Sequence, residues 1–148
     1  MEYRRGFGDP LYVSSKTTPT PGLIRLLNAQ GGVITRTQAL GIGVTEARID
    51  RLLSAGHWRR VHPGIYSAFG PPAGVARAWV GVLAGGAGAC VGGWGAAHLL
   101  GLVPTCPDRV EIWSERQLRD RGFLVFRRGH RPAREVRRAP EPPRRSST

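Results

Sequence analysis

The residues with the most chemistry to offer lie in one run, TEARIDRLLSAGHWRRVHPGIY (residues 45–66). Arg48 and Arg51 stand three positions apart, and Arg59 and Arg60 stand side by side ahead of a Pro-Gly turn. A guanidinium presents a planar fork of donors that fits phosphate oxygens and the O6/N7 edge of guanine. Two arginines on a helix followed by two on a hairpin therefore point to nucleic acid, with bases for the first pair and backbone for the second. His57 and His62 flank the same hairpin. They reach phosphate as readily as they fill ordinary hairpin positions.

Other chemistry is thinly represented. A metal-dependent nuclease needs clustered carboxylates and a lysine to hold metal and activate water. PDRVEIW supplies Asp108 and Glu111, but the chain's single lysine is Lys16, so the pair reads as a chance match. No Gly-Ser followed by paired aspartates marks a nucleotidyltransferase. His98, Cys90 and Cys106 lack the short spacing of a metal site and read as core or turn positions. Trp58, Trp79 and Trp113 keep apolar neighbours and read as core anchors rather than base-stacking platforms. No catalytic residue, metal or cofactor is expected, and the chain is read as not an enzyme.

Composition agrees with an anionic partner. The 148 residues carry 22 Lys+Arg against 10 Asp+Glu, a net charge of +12, which favours nucleic acid first and acidic membrane second. The charge is uneven: residues 1–70 hold nine basic and four acidic groups, residues 71–126 five and four, and residues 127–148 eight and two. The length suits one ordinary domain or two small ones and excludes a large multidomain enzyme. Cys90 and Cys106 form no close pair, and MEYRRGFGDPLYV lacks the apolar stretch of a secretory leader, so a cytoplasmic location is expected. The uncharged run Ala78–Ala97 is long enough to span a bilayer. GGAG and GGWG interrupt it, however, and it reads as a buried helix, a turn and a strand.

The elements that must position the arginines follow from periodicity and caps. Residues 1–21, with three prolines and no sustained pattern, read as a flexible leader. Leu23, Leu26 and Leu27 give a short first helix closed by Gly31 and Gly32. Thr35 and Gln38 have the spacing of a capping box for a second helix, which Gly41 and Gly43 stop. Thr45 caps a third, EARIDRLLSAG, with Ile49, Leu52 and Leu53 turned inward and Glu46, Arg48, Asp50 and Arg51 turned elsewhere. Trp58–His62 and Ile65–Ala68 pair around HPGI, where Pro63 presets the first turn dihedral and Gly64 supplies a positive one. Three helices and a hairpin make a winged helix-turn-helix, predicted over residues 22–70.

Beyond a hinge at GPPAG, residues 75–127 read as a second, incomplete α/β domain. Its helix, Val75–Ala84, turns Val75, Ala78, Trp79, Val82 and Leu83 to one side. A short strand at Ala89–Val91, a helix at Ala96–Leu100 and strands at Arg109–Trp113 and Phe123–Phe126 follow. Residues 128–148, rich in Arg and Pro, read as a disordered tail. The fold class expected is α+β.

The run LLNAQGGVITRTQALGIGVTEARIDRLLSAGHWRRVHPGIYSAFG closely resembles the N-terminal winged-helix domain of AbiEi-type antitoxins of type IV toxin-antitoxin systems. It is also similar to relatives in which this module precedes an endonuclease-like domain. The likeness rests on GGVITRTQA, RLLSAGHWRRV and HPGIY, and continues more loosely through VARAWVGVLAGGAGACVGGWGAAHLLGL, where Gly and Trp94 replace a polar stretch. It implies a winged helix that binds inverted repeats in its own operator and represses the operon. Arg36, Thr45, Arg48, Arg51, Arg59 and Arg60 would be its DNA-binding residues. It further implies a second domain that counters a nucleotidyltransferase toxin, here cut short by a frameshift or a premature stop. The expected function is a DNA-binding transcriptional regulator with double-stranded DNA as partner and no membrane. Two other readings are a catalytically inactive remnant of the nuclease fusion, and an interaction module whose tail binds acids nonspecifically.

Overall fold

The computed structural model describes residues 21–129, which divide after Ala84 into two compact units. Each contains a three-stranded sheet and at least one helix, so the α+β class holds. Pro21 belongs to the first helix rather than to the leader, because the first helical turn needs no amide hydrogen from it. Arg128 likewise closes a strand instead of opening the tail. The remaining leader, residues 1–20, and the tail from residue 130 lie outside the described residues.

In the N-terminal unit α1 (Pro21–Ala29) turns Leu23 and Leu27 inward, one helical turn apart. The chain then forms β1 (Val33–Thr35), α2 (Arg36–Gly41), α3 (Glu46–Ser54), β2 (Arg59–His62) and β3 (Ile65–Ser67). The sheet order is β1-β3-β2, both pairings antiparallel. Strand β1, three β-branched residues, is too short to give a local signal; it pairs Val33 with Ser67 and Thr35 with Ile65. The helices enclose Leu23, Leu27, Ile34, Ala39, Val44, Ile49, Leu52, Trp58, Tyr66 and Ala68 in one core. This arrangement fits a winged-helix domain.

Two local devices hold it. The capping box is complete: the Gln38 amide donates to Thr35 Oγ1 at 3.0 Å, and Gln38 Oε1 accepts from the Thr35 amide at 3.1 Å. Gln38 also exchanges two hydrogen bonds of 2.9 Å with the side chain of Gln30, whose Nε2 reaches the Val33 carbonyl as well. The end of α1 is thereby tied to the start of α2. At Gly32, with φ +84°, an added Cβ would overlap the Phe69 ring, so both conformation and space demand glycine.

Helix α4 (Val75–Gly85) differs from expectation in its orientation. It buries Ala78, Val80 and Ala84 and leaves Val75 exposed, so of the predicted stripe Ala78 is buried, Trp79, Val82 and Leu83 are half-buried, and Val80 and Ala84 replace them in the interior. Arg77 is its only charge, and a helix apolar all round carries no periodic signal to mark one face.

The C-terminal unit contains β4 (Cys90–Gly92), α5 (Gly93–Leu99), β5 (Val110–Ser114) and β6 (Leu124–Arg128). Strand β5 is central, antiparallel to β4 and parallel to β6. Val110, Ile112 and Ser114 alternate inward along it, and Ser114 Oγ donates to the Gly85 carbonyl at 2.7 Å. Among the described residues no helix is long and apolar enough to cross a membrane. The uncharged run from Ala78 is divided among α4, β4 and α5, as its glycines imply.

Candidate nucleic-acid interface

Helix α3 owes its start to Thr45, which sits at the N-cap in extended conformation with Oγ1 accepting the Arg48 amide at 3.2 Å. At 3.6 residues per turn, burying Ile49 and Leu52 fixes which residues face out. Glu46, Ala47, Asp50, Arg51 and Ser54 are exposed. Asp50, Ser54 and Ala47 stand at the middle of that face, with Glu46 on one flank and Arg51 on the other.

Arg48 departs from expectation. It is only 7% exposed, and its Nε and Nη2 have no hydrogen-bond partner. Its position, one turn before Leu52, lies on the flank of the buried stripe, where a long aliphatic stem covers apolar surface. Burial, and after it the charge of Arg51, pushes the guanidinium below its ordinary value, though an arginine remains charged at neutral pH.

Arg36, the first residue of α2, is a brace. Its Nη2 stands 3.2 Å from Glu46 Oε1, and its Nη1 donates to the Tyr66 hydroxyl at 3.3 Å. The Tyr66 hydroxyl and then the Glu46 carboxylate push the guanidinium above its usual value. The starts of α2 and α3 are thus joined to β3. Glu46 is 69% exposed, so the pair is solvated and weak in energy, but it fixes where Arg36 points.

Arg59 and Arg60 are exposed on β2, an edge of its sheet. Successive side chains of a strand leave opposite faces. Arg60 stands across from Tyr66 and shares its face, whereas Arg59 stands across from Ser67, and the register shifts between Arg60 and His62. Before them Trp58 is buried and stacks on Tyr66, ring centres 5.9 Å apart. Gly64 adopts φ +71° in the turn, as the HPGI reading requires.

The structure therefore places Arg36 and Thr45 at the starts of α2 and α3, sets Arg51 on the outer face of α3 and puts Arg59 and Arg60 on the hairpin edge. It withdraws Arg48 from the outer face. Counting cations overlooked Ala47, Asp50 and Ser54, although the inward stripe of Ile49 and Leu52 was signal enough to find them by subtraction.

Residues 23–68 match the model of the family described as transcriptional regulator, AbiEi antitoxin. Over this segment the chain is similar to the AbiEi antitoxin regulators. The match runs from Leu23 on α1 to Ala68 just past β3, and so contains both capped helices, the outer face of α3 and the whole hairpin. The resemblance seen in the sequence is borne out over this stretch. The AbiEi match stops before α4 and includes none of the C-terminal unit. No curated protein matches the chain.

Among the remaining residues Glu111 stands 3.8 Å from Arg127 Nε, a cation across the β5–β6 pair. No group of three His, Cys, Asp or Glu side chains is placed to hold a metal ion among the described residues.

Proposed function

We propose that the N-terminal unit binds double-stranded DNA as the reading module of a transcriptional regulator that represses its own operon in the cytoplasm and catalyses no reaction. One observation carries this reading: within the segment matched to a regulator family, a capped helix holds an exposed polar face beside a hairpin edge bearing two exposed arginines. In the bound state α3 enters the major groove with Arg51 on the O6/N7 edge of a guanine. Arg59 and Arg60 hold phosphates and contribute affinity without sequence information. Arg36 and Thr45 act by fixing the helix starts, and the Arg48 guanidinium supplies positive charge at the flank of α3. An operator of inverted repeats takes two copies, one per half-site. Action against a nucleotidyltransferase toxin is the second part of the resemblance, and the C-terminal unit would carry it.

Fluorescence anisotropy of the full chain, on a duplex from upstream of its own gene and on a scrambled duplex across a salt series, tests the proposal. The upstream duplex should bind more tightly. Arg51→Ala should narrow that preference by about 1–3 kcal/mol. Arg59→Ala and Arg60→Ala should weaken both duplexes alike, each flattening the salt dependence by about one phosphate contact. Equal affinity of the unaltered chain for the two duplexes would overturn the reading.

A further inference from the structure

We infer that Asp50 is a specificity-determining residue of α3 beside Arg51 and that it demands a cytosine, accepting the N4 hydrogen of that base in the major groove. The inference rests on the DNA-binding reading and names what that surface selects.

Asp50 does no visible work in the fold. It is exposed near the middle of the outer face of α3, between Ala47 one turn back and Ser54 one turn on. It has no hydrogen bond or ion pair among the described residues, whereas the other outward carboxylate, Glu46, is held by Arg36. Positions 46, 47, 53 and 54, the neighbours three and four residues away, are Glu, Ala, Leu and Ser, so no intrahelical ion pair compensates the poor helix propensity of aspartate. Ala47 and Ser54 are small, leaving the carboxylate as the group that projects. A negative charge there opposes any approach to phosphate, in a chain with only 10 acidic residues against 22 basic ones. In the major groove the setting differs, because cytosine offers an amino donor that a carboxylate accepts. Arg51, the next residue, requires guanine acceptors by the same rule. A base lacking the N4 donor leaves the Asp50 carboxylate desolvated and unpaired, which rejects that sequence rather than merely failing to attract it. Small neighbours, a carboxylate and a guanidinium together describe a face that reads G·C pairs.

Selection from randomised duplexes by the full chain, followed by sequencing, tests this. The unaltered chain should enrich a site with a fixed cytosine. Asp50→Ala should lose preference at that one position, keep the rest of the site and bind duplexes lacking the cytosine about ten-fold more tightly. Asp50→Asn should change the preferred base to adenine, which presents the donor and acceptor that an amide pairs with. N4-methylcytosine at the position should weaken the unaltered chain and leave Asp50→Ala unaffected. Asp50 is exposed, and an unchanged melting temperature verifies that the variants are folded. The same site enriched by all three proteins, or equal sensitivity to the methyl group, overturns the inference and leaves DNA binding standing. No enriched site for the unaltered chain overturns both.

Discussion

The two units each build a three-stranded sheet, yet they secure their helices by different means. In the N-terminal unit α2 and α3 start at threonines whose hydroxyls accept backbone amides, and Gln30, Gln38 and Arg36 link one element to the next. In the C-terminal unit α5 starts at Gly92 with no side-chain cap, and Trp94 and Leu102 stand 71% and 75% exposed. Trp113 occupies the space at Gly92, 2.6 Å from where a Cβ would sit, and also lies against Gly129. The lesson concerns placement. The candidate interface lies where helix starts are tied by side chains, while α5 starts without such a tie.

Hollowing the core beneath α3 should unsettle the N-terminal unit most. Ile49→Ala should cost about 2–4 kcal/mol through lost transfer energy and a residual cavity, read as a lower midpoint in chemical denaturation. Loss of amide protection should begin in α3 and the β2–β3 hairpin rather than in β5.

Arg48→Met should move stability the other way. A buried guanidinium with two unpartnered nitrogens carries a desolvation cost, and a methionine of similar length removes it, a gain of about 1–3 kcal/mol. The depressed value means that the folded state disfavours the proton, so the cost is present wherever the arginine is charged. The gain should therefore be constant between about pH 5 and 9. If thermal melting shows Arg48→Met to be less stable than the parent, the side chain is packed for stability and not held at a cost.

Capping sharpens the contrast at smaller scale. Thr45→Ala should lose about 1 kcal/mol as the Arg48 amide loses its acceptor. Gly92→Ser would supply the cap residue that α5 lacks, but it should also destabilise by about 1–2 kcal/mol, because its Cβ collides with Trp113. Denaturation midpoints of the two variants decide the matter; a stabilised Gly92→Ser would show that Trp113 yields easily. Smallest of all is Glu46→Gln, which frees Arg36 from a solvated pair and should change stability by less than about 0.5 kcal/mol in a melting series.

Much of the N-terminal unit was legible because its signals are local. Thr35 with Gln38, Thr45 ahead of Glu46, and Pro63-Gly64 each specify geometry within four residues. Strand β1 was hidden, since Val33–Thr35 is short and its partner lies some thirty residues on. The inward side of α4 was hidden for the opposite reason, an excess of apolar residues that fits every orientation. The candidate interface divided in the same way. Exposed arginines on β2 follow from charge next to a turn, but the burial of Arg48 depends on what packs around it, and no property of arginine announces that. The middle of the outer α3 face was passed over because a search for cations ignores an aspartate flanked by small side chains.

Arg59 and Arg60 emerge on either side of a sheet margin. A rod of negative charge lying flat against one surface could meet only one of them, so engaging both requires it to follow the rim, straddled like a rail. In the proposed DNA complex the hairpin would then work as a keel, setting the bearing on which α3 is steered into the groove. A register slip of one residue in β2 would exchange the two arginines between port and starboard, while the overall charge stayed the same.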